Sequence, residues 1–237
     1  MIANYDVIQL RKDFENIQQK FKGKNIAASS LFLTTDIDSQ KQTYSFSVLE
    51  NDARNPQKPD EIRLNQNDVF VFNQIAVGYV GDIQIAGRGI PNEFGRSIFI
   101  QSVPYDNNIQ TTRAYKLFAG QLKVTINNYV YFEKYDLRDF DVSTHDEQFN
   151  QINRIYSNPE NLQFKLHQRP VTQPVQPMIA MSGAKKNDFE ISLPSAIDPW
   201  GFAVMVDPIL PFMVIDVKRI GILLRGFLIQ NGAKFQV

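Results

Sequence analysis

From residue 29 onward, apolar and polar side chains alternate with a period of two, and this constrains the possible folds more than any other feature of the chain. The stretches "SLFLTT" (30–35), "TYSFSVL" (43–49), "DVFVFNQIAVGYVG" (68–81), "DIQIAG" (82–87) and "SIFIQSV" (97–103) are rich in β-branched and aromatic residues and read as strands. Turn formers separate them: Asn55-Pro56, Pro59-Asp60, Gly87-Arg88-Gly89 and Asp106-Asn107-Asn108. In "AYKLFAGQLKVTINNYVYFEKYDL" (114–137), Leu117, Leu122, Val124 and Ile126 predict a strand bulged at Gly120. Asn127-Asn128 then turns the chain into 129–132. "LQFKLHQ" (162–168), "PMIAMSG" (177–183), "DFEISLP" (188–194), "GFAVMVD" (201–207) and "PFMVIDV" (211–217) follow, with Pro170, Pro174 and Pro177 marking an extended loop. Roughly fifteen candidate strands with no helix–strand alternation predict a mainly β protein, an antiparallel jelly-roll sandwich of one roll or two.

Two segments break the alternation. Val7, Leu10, Phe14, Ile17 and Phe21 recur at spacings of three and four, the stripe of an amphipathic helix that Asn4 or Asp6 would cap and Gly23 would end. That stripe either packs on the chain's own β core or serves as an arm that contacts a neighbouring subunit. "STHDEQFNQINRIYSNPE" (143–160) has a capping Ser143 or Thr144, Glu147 in its first turn, and Phe149, Ile152 and Tyr156 on one face, so it predicts a short connecting helix. The expected organisation is a helical arm at 1–24, a first β region at 25–142, the connecting helix at 143–160 and a second β region at 161–237 that either stands alone or continues the same sandwich.

The closing run "VKRIGILLRGFLIQNGAKFQV" (217–237) is too interrupted by Lys218, Arg219 and Arg225 to cross a membrane as a helix, which needs about 20 apolar residues. It predicts a strand starting after a solvent break at Lys218-Arg219, bulged at Arg225-Gly226 and turning at Asn231-Gly232, with both faces buried. The N-terminal residues lack the apolar core and cleavage site of a signal peptide.

Composition removes several function classes. Lysine plus arginine and aspartate plus glutamate balance at 25 each, so no overall field attracts nucleic acid or anionic lipid. There is no cysteine, hence no disulfide, thiolate nucleophile or cysteine-based metal site. His145 sits in the first turn of the predicted connecting helix beside Asp146, without further ligands for a metal. His167 follows a strand with no carboxylate nearby. Asp36 and Asp38 lie two apart in "TTDIDSQ" but lack the glycine and glutamate of a calcium loop, so the reading is a polar hairpin turn. "GRGIPNEFGR" (87–96) lacks the ending of a phosphate loop, and Ser182-Gly183 lacks the preceding glycine of a nucleophile elbow. No catalytic, cofactor-binding or metal residue is therefore assigned, and the chain is not expected to be an enzyme. A hydrolase would need carboxylates drawn from distant loops, for example Asp36, Asp136, Asp139 and Asp207. A carbohydrate-binding or adhesin-like module would use Trp200 to stack on a sugar.

The segments "LFAGQLKVTINNYVYFEKYDLRDF" (117–140), "PMIAMSGAKKNDFEISLP" (177–194) and "ILLRGFLIQNGAKF" (222–235) resemble jelly-roll capsid proteins of tailless icosahedral bacteriophages. The resemblance implies a virion structural protein without cofactors that is assembled in the host cytoplasm. Its partners would be copies of itself, in trimers or larger rings, and other virion proteins. It also implies that two stacked jelly rolls would divide near 143–160.

Overall fold

The computed structural model describes residues 2–85, 97–101, 115–141, 170, 172–204 and 213–233. Among these residues the helix α1 (Ile2–Lys20) precedes ten strands: β1 (Ile26–Asp36), β2 (Thr43–Phe46), β3 (Val69–Ile85), β4 (Ser97–Ile100), β5 (Gln121–Ile126), β6 (Tyr129–Asp136), β7 (Gln173–Ser182), β8 (Asn187–Ser192), β9 (Trp200–Val204) and β10 (Met213–Ile229). They form two antiparallel sheets packed as a sandwich. The larger has six strands in the order β1-β10-β3-β4, with β9 also pairing β10 and β7 also pairing β3; the smaller runs β2-β8-β5-β6.

The alternation explains the layering. Leu31, Leu33, Phe70, Phe72, Val77, Tyr79, Ile220, Ile222 and Leu224 line the inner face of the large sheet, and Tyr44, Phe46, Leu122, Val124, Phe189 and Ile191 answer from the small one in a single core. Phe72 and Phe189 meet across it with ring centroids 6.1 Å apart. Each such side chain contributes about 1.5–3 kcal/mol by burial.

The outer face of the large sheet is covered as well. Ile17 and Phe21 of α1 are buried on Val69, Val71, Phe227 and Ile229, with Phe14 partly buried beside them. The Phe14 and Phe227 ring centroids are 5.4 Å apart. The helix ends at Lys20, and Gly23, at φ 81, takes a left-handed conformation in the turn that follows and leads the chain into β1. Near its end, at 227–229, β10 is therefore apolar on both faces for two reasons, the sandwich core on one side and α1 on the other.

Several expectations change. Residues 69–81 of the first stretch and 82–85 of the second fall in one strand, β3, and Gly81 is an interior strand residue where a Cβ would come within 2.6 Å of Ile215. Likewise 213–217 and residues 218–229 of the closing run share β10, and Lys218-Arg219 is no solvent break. Lys218 is the extra residue of a bulge between Val217 and Arg219, and Arg219 is buried. The second register shift, between Arg225 and Gly226, comes from an extra residue in β3, Asn73, so the bulge lies on the partner strand.

Leu117 belongs to a helical turn at 115–118, not to a strand, and this turn buries the consecutive Leu117 and Phe118 together. Pro174 and Pro177 lie within β7, at an irregular stretch of its pairing with β3 where a missing N–H is tolerated. The Asp36–Asp38 turn is no hairpin, since β1 pairs with β10 and β2 with β8: it carries the chain from one sheet to the other. Strands from before and after 143–160 share both sheets, so the two β regions build one sandwich and not two stacked ones. The 143–160 segment, His145, His167, the 87–96 loop, the 106–108 turn, the 162–168 strand and Asp207 lie outside the described residues.

Candidate interaction surfaces

An open groove of about 740 Å³ runs over the outer face of the large sheet. Its floor is β1 at Ala28, Ser29 and Ser30 and β10 at Arg225, Gly226 and Phe227, with the bulged Asn73 and its neighbour Gln74 from β3. Arg11 and Phe14 of α1 form one wall, and Ile62, half exposed at 50%, forms the other. The bulge creates the site: inserting Asn73 brings the Gly226 backbone so close to β3 that a Cβ there would lie 2.0 Å from the Val71 carbonyl oxygen. Arg11 is paired with Glu15 at 3.2 Å. Arg225 is half-buried, and no carboxylate lines the groove or pairs with it among the described residues.

Farther along the same face, Arg219 of β10 gathers three other segments. Its Nη1 donates to both carboxylate oxygens of Asp60 at 2.8 Å, and its Nη2 donates to Asp82 Oδ1 at 2.6 Å and Ser97 Oγ at 2.7 Å. Ser97 Oγ in turn donates to Asp82 Oδ1 at 2.9 Å. Burial alone would raise the Asp60 carboxyl, but the hydrogen bonds from Arg219 and its guanidinium charge hold it below the usual carboxylate range. Burial would likewise lower Arg219, and its bond to Asp60 instead raises it.

A second pair is wholly buried: Arg63 Nη2 donates to Glu61 Oε2 at 2.7 Å with both side chains at 0% exposure. Glu61 Oε1 accepts from the Thr34 N–H at 2.9 Å and the Thr34 hydroxyl at 2.7 Å, and Arg63 Nη1 donates to the Asn55 carbonyl at 2.6 Å. Phe32 and Ile62 bond to each other in a bridge that seals part of the free edge of β1. Both clusters bind the β2–β3 connection to the large sheet. Apart from the buried Arg63 Nε, which has no partner among the described residues, the charged groups of both clusters are turned on partners within them, so they act as staples.

The small sheet ends differently. Asn127 and Asn128, at φ 50 and φ 67, make the tight turn between β5 and β6 that the sequence predicts. Beyond it Tyr129, Val130 and Tyr131 are 70%, 52% and 44% exposed. Among the described residues β6 pairs only with β5, and that register shifts twice. The shifts, with Glu133 and Lys134 exposed nearby, spoil the strand as a template for regular edge pairing. What remains sticky is the side chains. The sequence carried a trace of this: β6 is aromatic at both parities, more apolar than an edge strand with one buried face requires.

The other candidate residues separate. Trp200 is 6% exposed and lies edge-on to Tyr79 at 5.5 Å between ring centroids, inside the core and shielded from a sugar. Burial pushes the Tyr79 hydroxyl well above its usual value. Of the proposed subunit-contact stripe, Phe14, Ile17 and Phe21 pack on the chain's own sheet. Val7 and Leu10 lie in the first half of α1, whose side chains are outside the described residues. Asp36 bonds Lys58 in the large sheet's corner, while Asp136 pairs with Arg138 and caps the 3-10 turn Leu137–Phe140 at the far end of β6, with Asp139 inside that turn. Asp38 accepts from the Gln40 N–H at 3.0 Å, which holds its carboxyl below the usual range. Ser182 ends β7, and its hydroxyl accepts from the Ala184 N–H at 3.3 Å in the turn toward β8. Among the described residues no group of three or more histidine, aspartate and glutamate side chains is placed to hold a metal, and no helix is long and apolar enough to cross a membrane. Compared with known proteins, the chain matches no family model, no curated protein and no solved structure.

Proposed function

We propose that this chain is a structural subunit of a virus particle, a jelly-roll shell protein of a tailless icosahedral bacteriophage that assembles with copies of itself and other virion proteins. The strand pairing supports the fold part of this reading. With the short β4 and β9 set aside, the other eight strands pair as a folded ribbon: first with last (β1 and β10), second with seventh (β2 and β8), third with sixth (β3 and β7), fourth with fifth (β5 and β6). A long hairpin rolled across two sheets in this way is the jelly-roll arrangement used by capsid and lectin domains. The observation that carries the assembly part is the exposed Tyr129-Val130-Tyr131 hairpin. Clustered apolar side chains of this kind mark contact surfaces, and tyrosine is prominent in the centres of protein interfaces.

Size-exclusion chromatography with light scattering, followed by electron microscopy of the eluted species, tests the reading. Trimers, rings or shells that grow with concentration are expected. A monomer at every concentration and salt would overturn it. Within purified particles, mass spectrometry is expected to find the chain in multiple copies.

A further inference from the structure

Resting on that assembly reading, we infer that copies join head to tail, the Tyr129-Val130-Tyr131 hairpin of one copy seating in the Arg225 groove of the next. The two surfaces are complementary in chemistry. The hairpin presents exposed aromatic and apolar side chains with Glu133 two residues on, and Glu133 has no ion pair among the described residues. The groove presents Phe14, Phe227 and the exposed Ile62 around Arg225, which no carboxylate meets among the described residues. One surface holds an apolar cluster and an unmatched anion, and the other an apolar trough and an unmatched cation. Closing them together desolvates both clusters and pairs Arg225 with Glu133.

They cannot meet within one molecule. The groove lies on the face of the large sheet turned away from the small sheet, and the hairpin is on the small sheet's edge strand. A contact between two different patches is heterologous, so an open chain of copies keeps a free hairpin at one end and a free groove at the other, and contacts continue until a ring closes. The spoiled backbone edge of β6 is consistent with this geometry. It disfavours a symmetric edge-to-edge dimer, which would stop growth at two copies.

Mixing two variants tests the inference. Tyr129→Ser/Tyr131→Ser removes the hairpin surface and Arg225→Glu inverts the groove, each leaving the other surface intact. Each variant alone is expected to stay monomeric where the wild type assembles, with the half-assembly concentration raised about tenfold or more. An equimolar mixture is expected to give one-to-one pairs and nothing larger. The reversed pair Glu133→Arg/Arg225→Glu is expected to restore assembly. Circular dichroism and a thermal melt confirm that each variant folds; if Arg225→Glu does not, Ile62→Asn at an exposed position replaces it. If the wild type assembles and both variants do too, the surface assignment is wrong while the assembly reading stands. Monomeric variants that fail to pair on mixing overturn the head-to-tail geometry. A wild type that never assembles removes the assembly reading itself.

Discussion

Arg219 is the side chain on which the outer face of the large sheet depends most. It is 8% exposed and bonds Asp60 from the β2–β3 connection, Asp82 from β3 and Ser97 from β4. Replacing it with methionine leaves two carboxylates close together without a cation. The expected cost is about 3–5 kcal/mol, read from urea unfolding. Lysine there recovers only part of the loss, because an ammonium cannot match both oxygens of Asp60 while reaching Asp82. The same cluster makes stability depend on acid. Asp60 has a folded value below its unfolded value, so its contribution is complete above the unfolded value near about pH 4 and is lost as pH falls through the folded value. A Tm series is expected to drop on acidification below about pH 4. Asp60→Asn, less stable at neutral pH, is expected to show a shallower decline in that window.

Among elements, β3 and β10 organise the sandwich, and their bulges shape what lies above them. Gly226→Ala would force a Cβ to within 2.0 Å of the Val71 carbonyl, so a loss of about 1–3 kcal/mol is expected by thermal or chemical unfolding. α1 depends on two anchors. Phe21, 2% exposed, is expected to cost about 3 kcal/mol as alanine, and the uncovered Val69, Val71 and Ile229 are expected to bind a hydrophobic dye. The strands and the Asn127-Asn128 turn were legible in the sequence because period-two alternation and left-handed asparagines are local properties. The join between 211–217 and the closing run was not, since "KR" reads as a solvent break until Asp60 and Asp82 arrive from elsewhere in the chain. Leu117 was misplaced because an apolar pair reads equally well as the end of a strand or a helical turn. The groove had no local signature at all. Its floor, walls and defining bulge come from α1, β1, β3, β10 and the loop at Ile62.

For the molecule as a whole, the sequence conveyed the mainly β class and the antiparallel character, because its strand-like stretches follow one another without a regular alternation of helix and strand. It could not convey that regions on either side of 143–160 interleave in both sheets, since pairing between distant strands leaves no trace in either one. That interleaving sets an order in time. β10 is the last described strand in the chain, yet it sits between β1 and β3 and pairs with both along most of its length. While the ribosome is still making residues before Met213, β1 and β3 have no central partner and the large sheet has no middle. Pairings this distant close slowly and leave unpaired strands exposed in the meantime. Nascent chains arrested before residue 213 are expected to be cut readily by a protease, and chains released after residue 233 to resist it. The large sheet is therefore completed only when the last described strand has emerged.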